Sequence, residues 1–181
     1  MATPKQIVNS YIFSVAVAPE ITRNIRISAN ATFADLSDAI LKAFDFDNDH
    51  AHAFFMSGRC WDEDTAIYCD YIYSDGASSS EVQLRDLNMR RGKRFLYLFD
   101  FGDEWLFECR LKDKLAEHTA APVVVASVGE APEQYPPEDD WDDADEGDDP
   151  EDLTSRFPHI FTKEEIRRVL SQMDDGEDLP F

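Results

Sequence analysis

An α+β fold on a mixed sheet is what the sequence predicts, and three observations predict it. Arg94–Leu111, read RFLYLFDFGDEWLFECRL, sets two arms of alternating apolar residues around the polar turn Asp100–Glu104, the pattern of a β-hairpin with one buried face. The front of the chain reads strand, strand, helix, strand. An apolar content of 43% with 13 Phe in 181 residues suffices for one core of ordinary size. The expected architecture is a β-grasp-like mixed sheet, ββαβ followed by the antiparallel hairpin, with helices on one face.

Each element has its own signal. Tyr11, Phe13, Val15 and Val17 alternate along a first strand, and Pro19-Glu20 turns the chain. Ile21, Arg23, Ile25 and Ile27 share one face of a second strand. Thr32 with Asp35 is a short capping box, and Phe33, Leu36, Ile40 and Phe44 keep helical spacing, so Phe33–Phe44 is an amphipathic helix. Strands follow at Ala51–Ser57 and Ile67–Tyr73, then a Gly/Ser turn over Asp75–Ser80 and a short helix over Leu84–Met89 with Leu84 and Leu87 inward. After the hairpin, where Gly102 is expected at positive φ, the β-branched run Pro122–Val128 gives a last strand. Thr162 caps a closing helix with Ile166, Val169, Leu170 and Met173 on one stripe.

Composition divides the chain into a core over 1–129, an acidic Pro-containing segment over 130–152, and a C-terminal helix over 153–181 that docks on the core. The net charge of −21 belongs largely to the middle piece, since Glu130–Asp152 holds 13 acids and no base. Four prolines among those acids predict a largely mobile segment, pinned at Tyr135 and Trp141. Such a charge disfavours nucleic acid and anionic membranes, which need Lys/Arg neutralisation. Arg90, Arg91, Lys93 and Arg94 read as a solvated lead-in to the hairpin. No apolar run is long enough to span a bilayer. Three scattered cysteines, Cys60, Cys69 and Cys109, and the lack of a secretory leader pattern predict a soluble cytoplasmic protein with reduced thiols.

Chemistry-bearing constellations are sparse. His50 and His52 lie two apart on one side of a strand, with Asp49 beside them, which makes these three the candidate metal ligands. No further ligand is fixed by local spacing, so we read His52 as packed beside the core and His50 as capping the strand, with no metal and no cofactor. Asp45-x-Asp47-x-Asp49 lacks the Gly and Glu that a calcium loop requires, since those positions hold His50 and Met56. Asp100-Phe101-Gly102 spells a kinase motif without the Gly-rich loop, strand Lys or catalytic loop of a kinase. No nucleophile elbow or phosphate loop is present, so no catalytic residue is assigned.

The helix signature Thr32–Phe55, the hairpin FLYLFDFGDEW (Phe95–Trp105) and GEAPEQYPPEDDW (Gly129–Trp141) together resemble the plasmid pRiA4b ORF-three-like family, over roughly 7–175. The match includes His50/His52 and Pro136-Pro137-Glu138-Asp139, and FPHIFTKEEIRRVL resembles the family's closing helix. The chain departs from the family where Tyr135 replaces a Cys and Asp142-Asp143 replaces a Gly pair, and the P-P-I-W-R-R opening is missing. A Cys-based metal site in relatives would be lost here. The resemblance implies a fold and an association with plasmids and mobile elements, with no established reaction.

Three readings of function remain. The first is a non-catalytic binding or regulatory module that holds a protein partner by a sheet edge or by an aromatic face around Tyr97, Phe99, Trp105 and Phe107. Its candidate contact residues are Asp103, Glu104, Trp105, Tyr135 and Trp141. The second is a metal-dependent enzyme centred on His50 and His52. The third is an acidic mimic of nucleic acid that occupies a basic partner.

Overall fold

The computed structural model describes residues 7–72 and 76–135. The closing helix expected over 153–181 and the acidic segment from 136 onward, with Trp141, lie outside the described residues. The described chain runs β1 (Ser10–Ala18), β2 (Ile21–Ser28), α1 (Phe33–Phe44), β3 (His52–Phe55), a 3-10 turn at Glu63–Thr65, β4 (Ala66–Tyr68), β5 (Ala77–Ser78), β6 (Arg94–Phe99), β7 (Trp105–Leu115) and β8 (Val123–Val128). The strands form one mixed sheet in the order β5-β4-β3-β6-β7-β1-β2-β8. Every neighbouring pair is antiparallel except β4–β5. β1 therefore lies between β2 and β7 and is antiparallel to both, while α1 carries the chain from β2 across the sheet to β3.

The helix starts where its cap chemistry places it. Thr32 Oγ1 accepts the Asp35 N–H at 3.1 Å, and Asp35 Oδ2 accepts the Thr32 N–H at 2.8 Å, which closes the capping box. It ends at Asp45 in the left-handed conformation (φ 60°), while the Phe46 N–H reaches back to the Leu41 carbonyl at 2.9 Å and Phe46 is buried. Phe33, Leu36, Ile40 and Phe44 are fully buried against the inner face of the sheet. Phe33 meets Phe54 and Phe95 edge-on, and Phe44 meets Phe107 at 5.1 Å. The Ser37 and Tyr97 hydroxyls, 2.7 Å apart and buried, join helix to β6 by the polar bond of this interface.

A smaller cluster lies on the opposite face. Ala53, Phe55, Ala66 and Leu98 pack there with Leu96, Phe101 and Leu106, and Trp61 leans on Phe55 and Phe101. β3 is thus buried on both faces, which explains the uninterrupted HAFF.

Several boundaries differ from expectation. β3 and β4 are shorter, and β7 runs on to Leu115 because Ser10 and Tyr11 of β1 pair with Leu115 and Lys114. Leu84–Met89 is a series of turns. Its amides serve the loop after β2, with Leu84 N–H to Ala31 O at 2.9 Å and Arg85 N–H to Ala29 O at 3.1 Å, and Asn88 takes φ 44°. Leu84 is buried as expected, whereas Leu87 is exposed.

Arg23 sits on the inner face of β2 and is buried. Its guanidinium donates to the carbonyls of Ala43 (3.1 Å), Thr22 (2.9 Å), Val128 (2.8 Å) and Gly129 (3.1 Å), and lies over the Phe44 ring. It joins the end of α1 to the end of β8 through backbone carbonyls of both, a cation at a helix C-terminus.

Candidate functional site

Most of the described sequence candidates gather at one end of the sheet, around the hairpin turn. Phe99 pairs with Trp105, leaving the five residues Asp100–Glu104 to reverse the chain. Asp100 and Glu104 adopt φ of 56° and 51°, and the Glu104 N–H donates to the Asp100 carbonyl at 2.7 Å. Gly102 does not take the positive φ expected of it. It serves close approach instead: its N–H donates to Asp100 Oδ1 at 2.9 Å, and a Cβ there would stand 3.3 Å from that oxygen. Asp100 is itself buried, and its N–H extends the ladder to the Ala51 carbonyl.

Across from the turn, the loop before β3 presents Asp49 and His50. His50 Nδ1 is 2.9 Å from Asp49 Oδ1 and 3.6 Å from Asp100 Oδ2. Its pKa is raised, first by the Asp49 hydrogen bond and then by the Asp100 and Asp103 charges. Asp49 is held below the usual carboxylate range by hydrogen bonds from Tyr135 and His50. The Tyr135 hydroxyl donates to Asp49 Oδ2 at 2.5 Å and is pushed up to about 12 by that carboxylate. Gln134, buried beside it, accepts the Asp47 N–H at 2.6 Å and donates back to the Asp47 carbonyl at 3.2 Å. Gln134 and Tyr135 thereby fasten the chain entering the acidic segment to the 47–50 loop. The arrangement holds the Asp49 and His50 charges at an open surface, whereas general acid–base work favours an enclosed site.

His52 is separated from this group. It is buried against the Phe54 and Tyr97 rings, with Nε2 3.1 Å from Ser79 Oγ and no partner for Nδ1. Burial lowers its pKa to about 4. The two imidazoles that sequence spacing pairs thus occupy different environments, one wet and acidic, one dry. Among the described residues no group of three or more His, Cys, Asp and Glu is arranged to hold a metal ion. The three thiols are free.

The contact candidates divide. Asp103 and Glu104 are both exposed but act on different neighbours, Asp103 raising His50 and Glu104 raising the Cys60 thiol, which burial first pushes up. Trp105 is half-buried at the border of the core, edge-on to Phe46 at 4.8 Å, with its Nε1 buried and unbonded. Tyr135 is half-exposed, and Trp141 lies outside the described residues. The expected aromatic face is not a surface: Tyr97, Phe99 and Phe107 are completely buried in the core, where Tyr97 meets Ser37 and Phe107 meets Phe44 of α1. A β-strand with one face on the core hides alternate residues, and here the hidden set is the aromatic one.

Two features escape sequence reading. An open cleft of about 670 Å³ is lined by Met56, Ile67, Val82 and Met89 together with Arg90 and Lys93. More prominent is the far edge of the sheet. All six residues of β8 are exposed, and Val123, Val124, Val125 and Val128 stand at 51%, 42%, 49% and 58% exposure. β8 bonds β2 on one side, with Val125 as an extra residue between the Asn24 and Ile25 registers, and among the described residues no strand joins its other side. The β-branched run signalled a strand, while its edge position follows only from strand order.

A family model described as Plasmid pRiA4b ORF-3-like protein matches residues 12–140, and the chain belongs to that family. The crystal structure of a protein of unknown function from Methanosarcina mazei Go1 is similar in fold, with a TM-score of 0.53 and 26% identity over 67% of this chain and 71% of that one. No curated protein matches. No helix among the described residues is long and apolar enough to cross a membrane.

Proposed function

We propose that this member of the plasmid pRiA4b ORF-3-like family is a non-catalytic binding module that takes up an extended segment of a protein partner along β8. The observation that carries this reading is the open β8 edge. Natural sheets guard their edges with short strands, Lys, Pro or a covering segment. The opposite edge follows that rule, since β5 has only two residues. β8 has six residues, VVVASV, with neither charge nor proline, and among the described residues its one protective device is the bulge at Val125. An added strand would gain main-chain hydrogen bonds for its affinity and valine contacts for its specificity. Arg23 supports this use by tying Val128 and Gly129 to α1, so that the edge is presented on a fixed frame.

The β-grasp-like description belongs to this proposal and rests on the β1-β2-α1-β3 order. A cytoplasmic location, supported by three free thiols, and a regulatory role linked to mobile elements, supported by the plasmid in the family's name, are proposed with it. The metal-enzyme alternative has little support, because His52 is engaged in the interior while His50 is on the surface. The nucleic-acid-mimic alternative depends on acids that lie mostly beyond the described residues.

The test is selection of peptides from a random extended-peptide library on the immobilised full chain. Selected peptides are expected to bind with micromolar affinity and to lose about tenfold or more against Val125→Lys. Peptides that bind wild type and Val125→Lys equally would show that β8 is not the binding edge.

A further inference from the structure

We infer that the segment taken up by β8 is β8 of a second copy of this chain, paired antiparallel about a two-fold axis so that the two sheets continue into one. This rests on the reading of β8 as a binding edge and names its occupant.

Three observations converge on a second copy. The strand is self-complementary, because Val-Val-Val-Ala-Ser-Val carries no charge that would repel its own image across a two-fold axis. The valines are exposed over the whole length of the strand, so that pairing the edge with itself removes an apolar surface from water on both copies at once. The charges at the two ends of the strand are opposite. At its start, Val123 pairs with Arg26, whose guanidinium donates to Ser10 Oγ (3.2 Å) and the His118 carbonyl (3.1 Å), and among the described residues no acid lies within ion-pair distance of it. Past its end, Gly129 leads to Glu130 and Glu133, both exposed. An antiparallel partner lays the Arg26 end of one copy beside the Glu130 end of the other, and the axis repeats the match. A parallel pairing would set like beside like. Repulsion between two chains of net charge −21 is screened beyond about 8 Å at physiological salt, so it does not reach the strand contact from charges farther away.

Sedimentation equilibrium of the full chain at physiological salt tests this. Wild type is expected to be a reversible monomer–dimer with a micromolar dissociation constant, raised at least about tenfold by Val125→Lys. Val125 is half-exposed and outside the core, and a melting curve of the variant checks that the fold is kept. Glu130→Arg alone is expected to weaken the dimer, and Glu130→Arg with Arg26→Glu to restore it, since the end-to-end match is then exchanged and not lost. A wild type that stays monomeric overturns self-pairing, as does a dimer that Val125→Lys leaves intact. Failure of the charge exchange to restore association overturns the antiparallel alignment. A monomeric chain that still binds selected peptides through β8 would refute the second copy alone, whereas absence of any β8-dependent association refutes the binding edge as well.

Discussion

At His52 a titratable ring is buried with only one nitrogen bonded, to Ser79. Desolvation holds it neutral down to about pH 4, whereas in the unfolded chain it takes up a proton near its ordinary value of 6.5. Between those values the unfolded state binds more protons, so this contribution to stability is complete above pH 6.5 and is lost as pH falls toward 4. Its size is about 3 kcal/mol, since each pH interval of one corresponds to ~1.4 kcal/mol. Urea denaturation at a series of pH values is expected to show that decline in wild type and a flatter profile in His52→Gln. Equal profiles would mean that the ring is not kept neutral by the fold. His50, two residues away, is set the opposite way by Asp49, and no sequence spacing distinguishes the two.

Among the elements, α1 is held to the sheet chiefly by apolar contact, with the Ser37–Tyr97 hydroxyl pair set inside it. A buried polar pair of this kind is costly to break on one side only. Tyr97→Phe or Ser37→Ala alone is expected to cost about 1–3 kcal/mol by leaving the other hydroxyl unsatisfied, and the double variant to cost less than the two single costs summed. A double-mutant cycle by chemical denaturation measures this, and strict additivity would show that the hydroxyls do not interact. The helix itself was legible from Thr32, Asp35 and the 3.6-residue spacing, because caps and amphipathicity are local. The segment Leu84–Met89 has helical spacing but forms turns, because the Leu84 and Arg85 amides are bonded to the loop after β2, some 50 residues earlier in the chain.

For the whole molecule, strand order grades the stability of the sheet. β6, β7 and β1 lie in its middle with partners on both sides, while β5 and β8 are its edges. Amide exchange in dilute protein is therefore expected to be slowest in β6, β7 and β1 and much faster in β8. The outward amides of β8 are expected to gain protection as concentration rises, if two copies pair there. Equal protection of β8 and β1 in dilute solution would mean that the edge is covered within one chain.

Everything that period and punctuation encode is legible in the chain itself. This includes β1, β2, α1, the hairpin arms, the strand at Val123–Val128, and the absence of a recognisable reaction motif. Alternation shows which residues of a strand share a face, but not which face meets the core. Alternation therefore suits Tyr97, Phe99 and Phe107 equally to surface and interior, and the packing of the core on their face decides for the interior. Arg23, set in a row with Ile25 and Ile27, shares their buried face and bonds backbone carbonyls there. Those partners, the joining of Tyr135 to Asp49 and the edge position of β8 were decided only by tertiary structure. Each depends on contacts between residues some 20 to 106 positions apart, and such contacts leave no period in the chain.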